Sequence, residues 1–279
     1  MTQLPAIEDN FEDVLGKAMR GCGLNAAAVA VPAGLKTDAV EALLAGQCEV
    51  WALRRVAAVL QLNAASLLEL ATVPRHPQMV LPVGGRQHTT AFPVPGYPGM
   101  TVNSYSLLPP GPADAGAVMD AGAGLVSIRQ SFDRARAVNW QLFLTHTHAD
   151  HVAHFDALAR AAVRAYCPQG EPYHDALPAR EGDRFQLGPW QLTAIETPGH
   201  SPAALSYLLQ GAGAPVIFVG DALFCYSIGK VAAANYAAAL SCIRHKILSL
   251  PPETIICPGH GPITSVAHER EHNPFFAGT

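Results

Sequence analysis

The strongest constraint in this sequence is a cluster of four potential metal ligands that directly follows a short apolar stretch, QLFLT. Three imidazoles and a carboxylate within six residues are costly to bury together unless they bind an ion. Neutral imidazoles and carboxylates together suit zinc, iron or manganese. The sequence therefore predicts a metal centre on a loop at the end of a buried strand. The ligands in this cluster, THTHADH, are His146, His148, Asp150 and His151.

Three further segments place a ligand-type side chain next to glycine, each just after an apolar strand. Glycine permits the tight turn that directs such a side chain inward. Each segment alone is a weak signal, but four clusters in succession at strand ends predict one centre built from all of them. The three segments are TPGHSP, VGDALF and ICPGHGP, which contribute His200, Asp221 and His260.

Composition and charge narrow the class of protein. Of the 279 residues, 49% are hydrophobic and 14% are charged, so we expect a sizeable buried core. The formal net charge of -4 does not favour a surface for nucleic acid. The six cysteines are scattered without a CxxC pair, and we expect free thiols. An acidic N-terminus without a signal-peptide pattern, and no apolar run of about 18 residues, predict a soluble cytoplasmic protein.

The first quarter of the chain differs in composition from the rest. Residues 1–73 are rich in Ala and Leu, with apolar residues at three- and four-residue spacing. They predict a small all-α domain of four or five short helices, with Thr37 capping one helix and Gly46 ending it. Residues 74–100 are dominated by Pro and Gly, which predicts a linker or irregular wrap with room for an edge strand around 79–83.

Residues 101–279 alternate between patterns typical of strands and of helices. Strands that alternate with helices, together with antiparallel pairs, indicate an α/β sandwich in which helices cover sheets. We therefore expect one α/β domain over this range. The predicted strands are TVNSYSLL, AVMDAG, QLFLTH, FQLGPWQLTAIET, AALSYLLQ, APVIFVGD and ETIICPGH, and the predicted helices are SIRQSFDRARAV, FDALARAAVRAY and YAAALSCIRHKILSL.

The set HTHADH, TPGH, GDALF and PGHGP resembles the metallo-β-lactamase superfamily over roughly residues 80–279. Within it, GDALFCYSIGK, AALSCIRHKILSLP and CPGHGPITSVAHEREHNPFF resemble glyoxalase II and its short bacterial relatives. The resemblance implies a four-layer αβ/βα sandwich that holds two divalent metal ions. It implies that one ion is held by His146, His148 and His200, the other by Asp150, His151 and His260, and that Asp221 bridges them.

The same resemblance implies a dinuclear-metal-dependent hydrolase that cleaves a thioester or an ester/lactone through a metal-bound hydroxide. Zinc is the first expectation for both ions, with iron or manganese as alternatives. Asp150 would also orient the nucleophile or carry a proton. Tyr226 and Lys230 are candidate contacts to a small-molecule substrate, although a packed aromatic and a solvated lysine are equally good interpretations. Cys225 is expected to be a buried packing residue.

Residues 25–70 resemble a Cro/repressor-type helix-turn-helix through the spacing of Ala30, Gly34 and Val40. The would-be recognition helix, TDAVEALL, carries Asp38 and Glu41 but no basic residue. Residues 1–78 contain six Lys or Arg and eight Asp or Glu, which is a poor balance for contacting phosphates. We therefore do not expect nucleic acid as a partner. The helices are interpreted as an element for packing or for forming a homodimer.

Three other functions stay open at this point. A mononuclear-iron persulfide dioxygenase shares the superfamily fold, but the complete set of seven ligand positions favours two metals. A transcription regulator with a ligand-sensing metal domain is disfavoured by the acidic recognition helix. A nuclease is disfavoured because the chain has no basic stretch.

Overall fold

The computed structural model of this protein describes residues 6–77, 79–82, 84–92, 100–108, 111, 114–135, 139–211 and 213–278. Its first sheet contains the strands β1 Arg86–Ala91, β2 Thr101–Leu107, β3 Gly116–Met119, β4 Trp140–Phe143, β5 Arg164–Pro168 and β6 Leu177–Ala179. These strands lie in chain order across the sheet. The pairs from β1 to β3 are antiparallel, and the pairs from β3 to β6 are parallel.

The second sheet contains β7 Arg184–Leu187, β8 Trp190–Glu196, β9 Leu205–Gln210, β10 Val216–Gly220, β13 Ile255–Pro258 and β14 Thr264–Ser265. Its order is β14-β13-β10-β9-β8-β7, in which only β10 and β13 are parallel neighbours. A separate two-stranded hairpin follows β10 directly. Its strands are β11 Leu223–Phe224 and β12 Ser227–Ile228.

Five helices open the chain: α1 Phe11–Cys22, α2 Ala26–Ala33, α3 Thr37–Leu44, α4 Val50–Val59 and α5 Ala64–Thr72. The later helices are α6 Leu125–Arg134, α7 Ala149–Val152, α8 Phe155–Ala159, α9 Tyr236–Cys242 and α10 Val266–His272. A 3-10 turn at Ala233–Asn235 precedes α9, and a π-helical turn at Ile243–Ile247 continues it. Within the described ranges, none of the helices combines the length and the apolar run that crossing a bilayer requires.

Successive side chains of the central strands point into different cores, and this produces the layered architecture. Phe143 of β4 and Phe218 of β10 lie in one core shared by both sheets. The neighbours of Phe143 face helices α6 and α8, while Ile217 and Val219 face a third core on the outer side of the second sheet. Because successive side chains of a strand point to opposite faces, each central strand is buried on both sides. The order of layers is helices, sheet, sheet, helices, as predicted.

Local signals fix the ends of the first helices. Asn10 and Asp13 form a capping box at the start of α1, and Asn25 accepts a hydrogen bond of 2.9 Å from the Ala28 amide at the start of α2. Gly23 and Gly34 end these two helices in the left-handed conformation, at φ of 67° and 63°. The predicted small helical region is therefore present as five short helices.

These five helices do not have a core of their own. Leu15 of α1 and Leu53 of α4 are fully buried in the same apolar cluster as Leu223, Ile228 and Ile256 of the second sheet and its hairpin. The helices thus cover the outer face of that sheet. Of the two interpretations offered for this region, the structure shows packing on the remainder of the chain.

Several predicted boundaries differ from the structure. The edge strand lies at Arg86–Ala91, whereas 79–82 is not a strand and Val83 lies outside the described residues. The helix predicted over FDALARAAVRAY ends at Ala159, and its last residues begin strand β5. Burial of Tyr166 and parallel pairing with β4 and β6 override helical propensity there.

Two smaller expectations have clear outcomes. Thr37 is the first residue of α3 rather than its cap, because Lys36 occupies the cap position. Gly46 follows the end of α3 at a φ of 81°, as a helix stop should. All six cysteines lie in described residues and are free thiols, as predicted.

We predict that Leu15→Ala lowers the free energy of unfolding by about 2–5 kcal/mol, because it leaves a cavity in the core that the helices share with the second sheet. Denaturant unfolding followed by circular dichroism measures this, and one cooperative transition is expected. Val31→Ala is the matched control, since Val31 is 81% exposed and its loss should change stability by less than about 0.5 kcal/mol. Two separate transitions would contradict a shared core.

Candidate metal centre

The structure brings all seven predicted ligand residues to one site at the ends of strands from both sheets. Two histidines lie on the loop after β4, and the next ligand pair lies on α7. The second sheet contributes the other three residues, from the β8–β9 loop and from the turns after β10 and β13. In chain order they are His146, His148, Asp150, His151, His200, Asp221 and His260.

The first group of ligand atoms belongs to His146, His148 and His200, all within 4.8 Å of one another. His200 Nε2 lies 2.9 Å from His148 Nδ1. His146 is buried, whereas His148 is exposed at the mouth of the site. Three imidazole nitrogens at this spacing can surround one ion.

The second group consists of Asp150, His151 and His260, whose ligand atoms also lie within 4.8 Å of one another. Asp150 Oδ2 lies 3.3 Å from His260 Nε2 and 3.8 Å from His151 Nε2. This group offers two nitrogens and one carboxylate. Its members match the second half-site that the sequence resemblance implied.

Asp221 lies between the two groups. Its Oδ2 is 3.3 Å from His200 Nε2 of the first group and 3.3 Å from His260 Nε2 of the second. Its Oδ1 is 3.2 Å from His151 Nε2. One carboxylate therefore contacts ligands from both half-sites, which is the geometry of a bridging group.

Three polar atoms in this site are buried and form no hydrogen bond of good geometry among the described residues, although two of them lie 3.2 Å apart: His146 Nε2, His151 Nε2 and Asp221 Oδ1. Buried polar atoms are almost always hydrogen-bonded, because an unsatisfied one loses its interactions with water. These three also belong to one group of potential ligands. Their convergence fits bound cations, and their nitrogen and oxygen donors suit zinc, iron or manganese.

The electrostatic interactions in the site also favour positive charge around Asp221. Burial would raise the pKa of Asp221, but His260, His151 and His200 outweigh it and hold that pKa well below its usual value. Burial would lower the pKa of His151, yet Asp221 and Asp120 raise it to about 10. The pKa of His146 is lowered, first by burial and then by His151, so His146 keeps the neutral form that binds metals.

A buried carboxylate that sequence reasoning missed stands behind this site. Asp120 accepts hydrogen bonds from the Thr145 amide at 2.7 Å and from the Thr145 hydroxyl at 2.8 Å. It also lies 2.9 Å from His151 Nδ1, which leaves Nε2 of that ring facing the site. A carboxylate behind a ligating histidine fixes its tautomer and orientation. The available signal was an aspartate at the end of the apolar stretch AVM.

Glu171 is a second residue that the sequence did not single out. It accepts hydrogen bonds from the Thr147 amide at 3.1 Å and from the Ala203 amide at 2.9 Å. It also accepts a hydrogen bond from the Ser201 hydroxyl. The first of these residues belongs to the loop of His146 and His148, and the other two belong to the loop of His200. Glu171 therefore ties together the loops of the first ligand group.

Backbone carbonyls orient two more imidazoles. His200 Nδ1 lies 3.1 Å from the Lys230 carbonyl, and His260 Nδ1 is hydrogen-bonded to the Thr101 carbonyl. A neutral ring that donates through Nδ1 presents Nε2 as its lone-pair nitrogen. Both rings therefore face the centre with the atom that can bind a metal.

Glycines allow the turns that carry the candidate ligand residues to approach one another closely. A Cβ at Gly259 would overlap the Asp221 carboxylate and the His151 ring. Gly220 has a φ of 50°, and a Cβ at this position would overlap the Thr145 side chain. Only a residue without a side chain fits where backbone and ligands come this close.

A cavity of about 240 Å³ opens onto the ligands. Lys230, a candidate substrate contact, lines this cavity. Tyr226 does not, because it is fully buried and its hydroxyl donates to Glu69 at 3.0 Å and accepts from the Arg75 amide at 2.9 Å. This placement does not support substrate contact by Tyr226. Cys225 is 1% exposed and packs in the core as predicted.

The sequence is similar to those of several known proteins. Probable metallo-hydrolase YqgX of Bacillus subtilis is 30% identical to this chain over 208 residues, which cover 62% of this chain and 98% of the relative. Hydroxyacylglutathione hydrolase GloC of Haemophilus influenzae is 28% identical over 187 residues, which cover 57% of this chain and 86% of the relative. No protein-family model matches the chain.

The fold also has a counterpart among solved structures. The BLEG-1 B3 metallo-β-lactamase is 28% identical, with a TM-score of 0.56, and the match covers 70% of this chain and 100% of that one. Similarity of sequence to the B. subtilis relative extends over nearly all of that protein's length. The chain belongs to the metallo-β-lactamase superfamily as one of its metal-dependent hydrolases.

Proposed function

We propose that this protein is a dinuclear-metal hydrolase that cleaves a thioester or an ester/lactone of a small molecule. The observation that carries the proposal is the position of Asp221, whose carboxylate contacts histidines of two separate ligand groups. A mononuclear centre would need only one of these groups. Support for the thioester comes from the relative GloC, which is named a hydroxyacylglutathione hydrolase.

We assign His146, His148 and His200 to one ion, Asp150, His151 and His260 to the other, and Asp221 to both. Two divalent ions bound there, zinc first and iron or manganese as alternatives, would polarise the substrate carbonyl and lower the pKa of a water molecule. The orphaned nitrogens of His146 and His151 support the assignment, because binding an ion satisfies them.

The chain's own residues provide positioning and proton transfer. Asp150 lines the cavity and lies 3.3 Å from His260 Nε2, so it could both help to hold an ion and orient the attacking water. Its pKa is lowered because hydrogen bonding to His260 and the charge of His151 outweigh burial, which keeps it an acceptor. Lys230 is proposed to contact the substrate from the cavity wall.

A small substrate panel tests this proposal. We expect purified protein with bound metal to hydrolyse acyl thioesters or lactones and to leave phosphodiesters intact, measured by thiol release and by acid production. Chelation followed by addition of zinc, iron or manganese should remove and restore the activity. Oxygen consumption with a persulfide, together with one iron per chain, would instead identify a persulfide dioxygenase.

The ligand assignment predicts about two metal ions per chain. Asp221→Ala should abolish activity and lower the metal content, because its loss removes a ligand from both ions. Cys225→Ala is the control, since Cys225 lies nearby in the chain but is buried in the core and does not line the cavity. Elemental analysis and a rate assay measure both variants. Equal metal content and activity in the two would contradict the role of Asp221.

Asp120→Asn should weaken metal affinity about 10–100-fold without unfolding the protein, because the amide no longer holds the His151 ring in the ligating tautomer. Competition with a chromogenic chelator measures the affinity. Loss of affinity should exceed any loss of unfolding free energy measured on metal-free protein. A variant that kept the wild-type affinity would show that Asp120 is structural only.

A further inference from the structure

The N-terminal helical region reaches the cavity of the proposed hydrolase. Glu8 and Asp9 precede α1, and Lys17 lies on α1, yet all three line the same cavity as Asp221 and His260. Met100, Phe224 and Lys230 complete this outer part of the wall. Helix α1 and the residues before it therefore form part of the wall of the proposed active site, while the helical region as a whole covers the second sheet.

Lys17 is held in this wall by contacts from both regions of the chain. Its side chain is 9% exposed and forms an ion pair with Asp9. Its ammonium donates to the Ile228 carbonyl on β12 at 2.7 Å and lies 4.7 Å from the centre of the Phe224 ring. An ammonium has three N–H donors. Among the described residues, Asp9 and Ile228 accept from two of them, and Lys17 also lines the cavity, where a ligand can reach its ammonium group.

A second cation lies close to the first. Lys230 lines the same cavity, and its carbonyl holds His200 of the first ligand group. Burial lowers the pKa of Lys230, and the neighbouring charges of Arg20 and Lys17 lower it further. A negatively charged ligand in this cavity, in addition to the Asp9 carboxylate, would reduce the repulsion between Lys17 and Lys230.

The acidic residues of the wall already face partners. Asp9 pairs with Lys17, and Glu8 Oε1 lies 3.9 Å from His260 Nδ1. Met100 and Phe224 give this cavity its apolar lining, and the Phe224 ring lies 4.7 Å from Lys17 Nζ and 5.3 Å from the His260 ring. This arrangement suits a ligand with a short alkyl segment that ends in a negative charge.

We propose that Lys17 is a specificity-determining residue that binds a carboxylate at the end of the acyl group remote from the bond that is cleaved. The helical region would then select substrate for the metal centre. The proposal rests on the proposed hydrolase function. A cavity of about 240 Å³ is small for a ligand site, which favours a short acyl chain such as that of a dicarboxylic acid.

A pair of isosteric substrates tests this inference. The probes are the N-acetylcysteamine thioesters of glutaric acid and of its terminal monoamide, which differ in one charge. We expect wild-type protein to prefer the carboxylate. Lys17→Met should reduce that preference in kcat/KM by about tenfold or more, chiefly through KM, because the alkyl stem is kept and only the charge is lost.

Two further variants control for folding and for general charge. Lys17→Met leaves Asp9 buried without its partner, so the double variant Asp9→Asn/Lys17→Met is measured alongside it and should show the same loss of preference. Lys36→Met removes an exposed lysine of the helical region that does not line the cavity, and it should keep the wild-type preference. Metal content should be unchanged in all of them.

Calorimetric binding of glutarate and of its monoamide gives a readout that is independent of turnover. Wild-type protein should bind glutarate more tightly, and both Lys17 variants should lose that difference. Turnover with an unchanged preference in these variants would overturn the role of Lys17 while leaving the hydrolase intact. No turnover of any thioester or ester by wild-type protein would overturn the proposed function itself.

Discussion

The Asp221 carboxylate is the interaction on which the rest of the site depends. It is buried at the end of β10, where an isolated negative charge would be strongly unfavourable, and it contacts three imidazoles from three different segments. The glycines beside it, the carboxylate of Asp120 behind His151 and the bracing by Glu171 all serve to hold these rings around one point. The surrounding structure therefore stabilises the buried negative charge of Asp221.

The helical region adds a covering layer to this structure and forms part of the cavity wall. Its apolar side chains share a core with the second sheet, and its first helix contributes to the cavity wall. The spacing that resembles a helix-turn-helix is compatible with this role, because close crossing of α2 and α3 serves packing equally well. Asp38 and Glu41 lie exposed on α3, which leaves the surface of that helix acidic.

The ligands could be predicted from sequence because each lies at the end of an apolar strand in a short segment with glycine or a second ligand. Asp120 and Glu171 could not, because each is a single carboxylate whose partners lie 24 to 32 residues away in the chain. Strand β5 was missed because its pairing with β4 and β6 is a tertiary effect. Tyr226 was placed near the substrate by its closeness to Asp221 in the chain, but the hairpin β11–β12 turns it, at a φ of 65°, toward α5.

The ligands come from both sheets, and this has a mechanical consequence. His146, His148, Asp150 and His151 follow β4 of the first sheet, while the remaining three follow strands of the second. Ions bound by residues from both sheets would link the two sheets at one edge of the sandwich. By thermodynamic linkage, any strain that slides one sheet against the other must then weaken metal binding, and metal binding must resist that sliding by the same free energy. The packing of the core between the sheets would thus help to tune how firmly the ions are held.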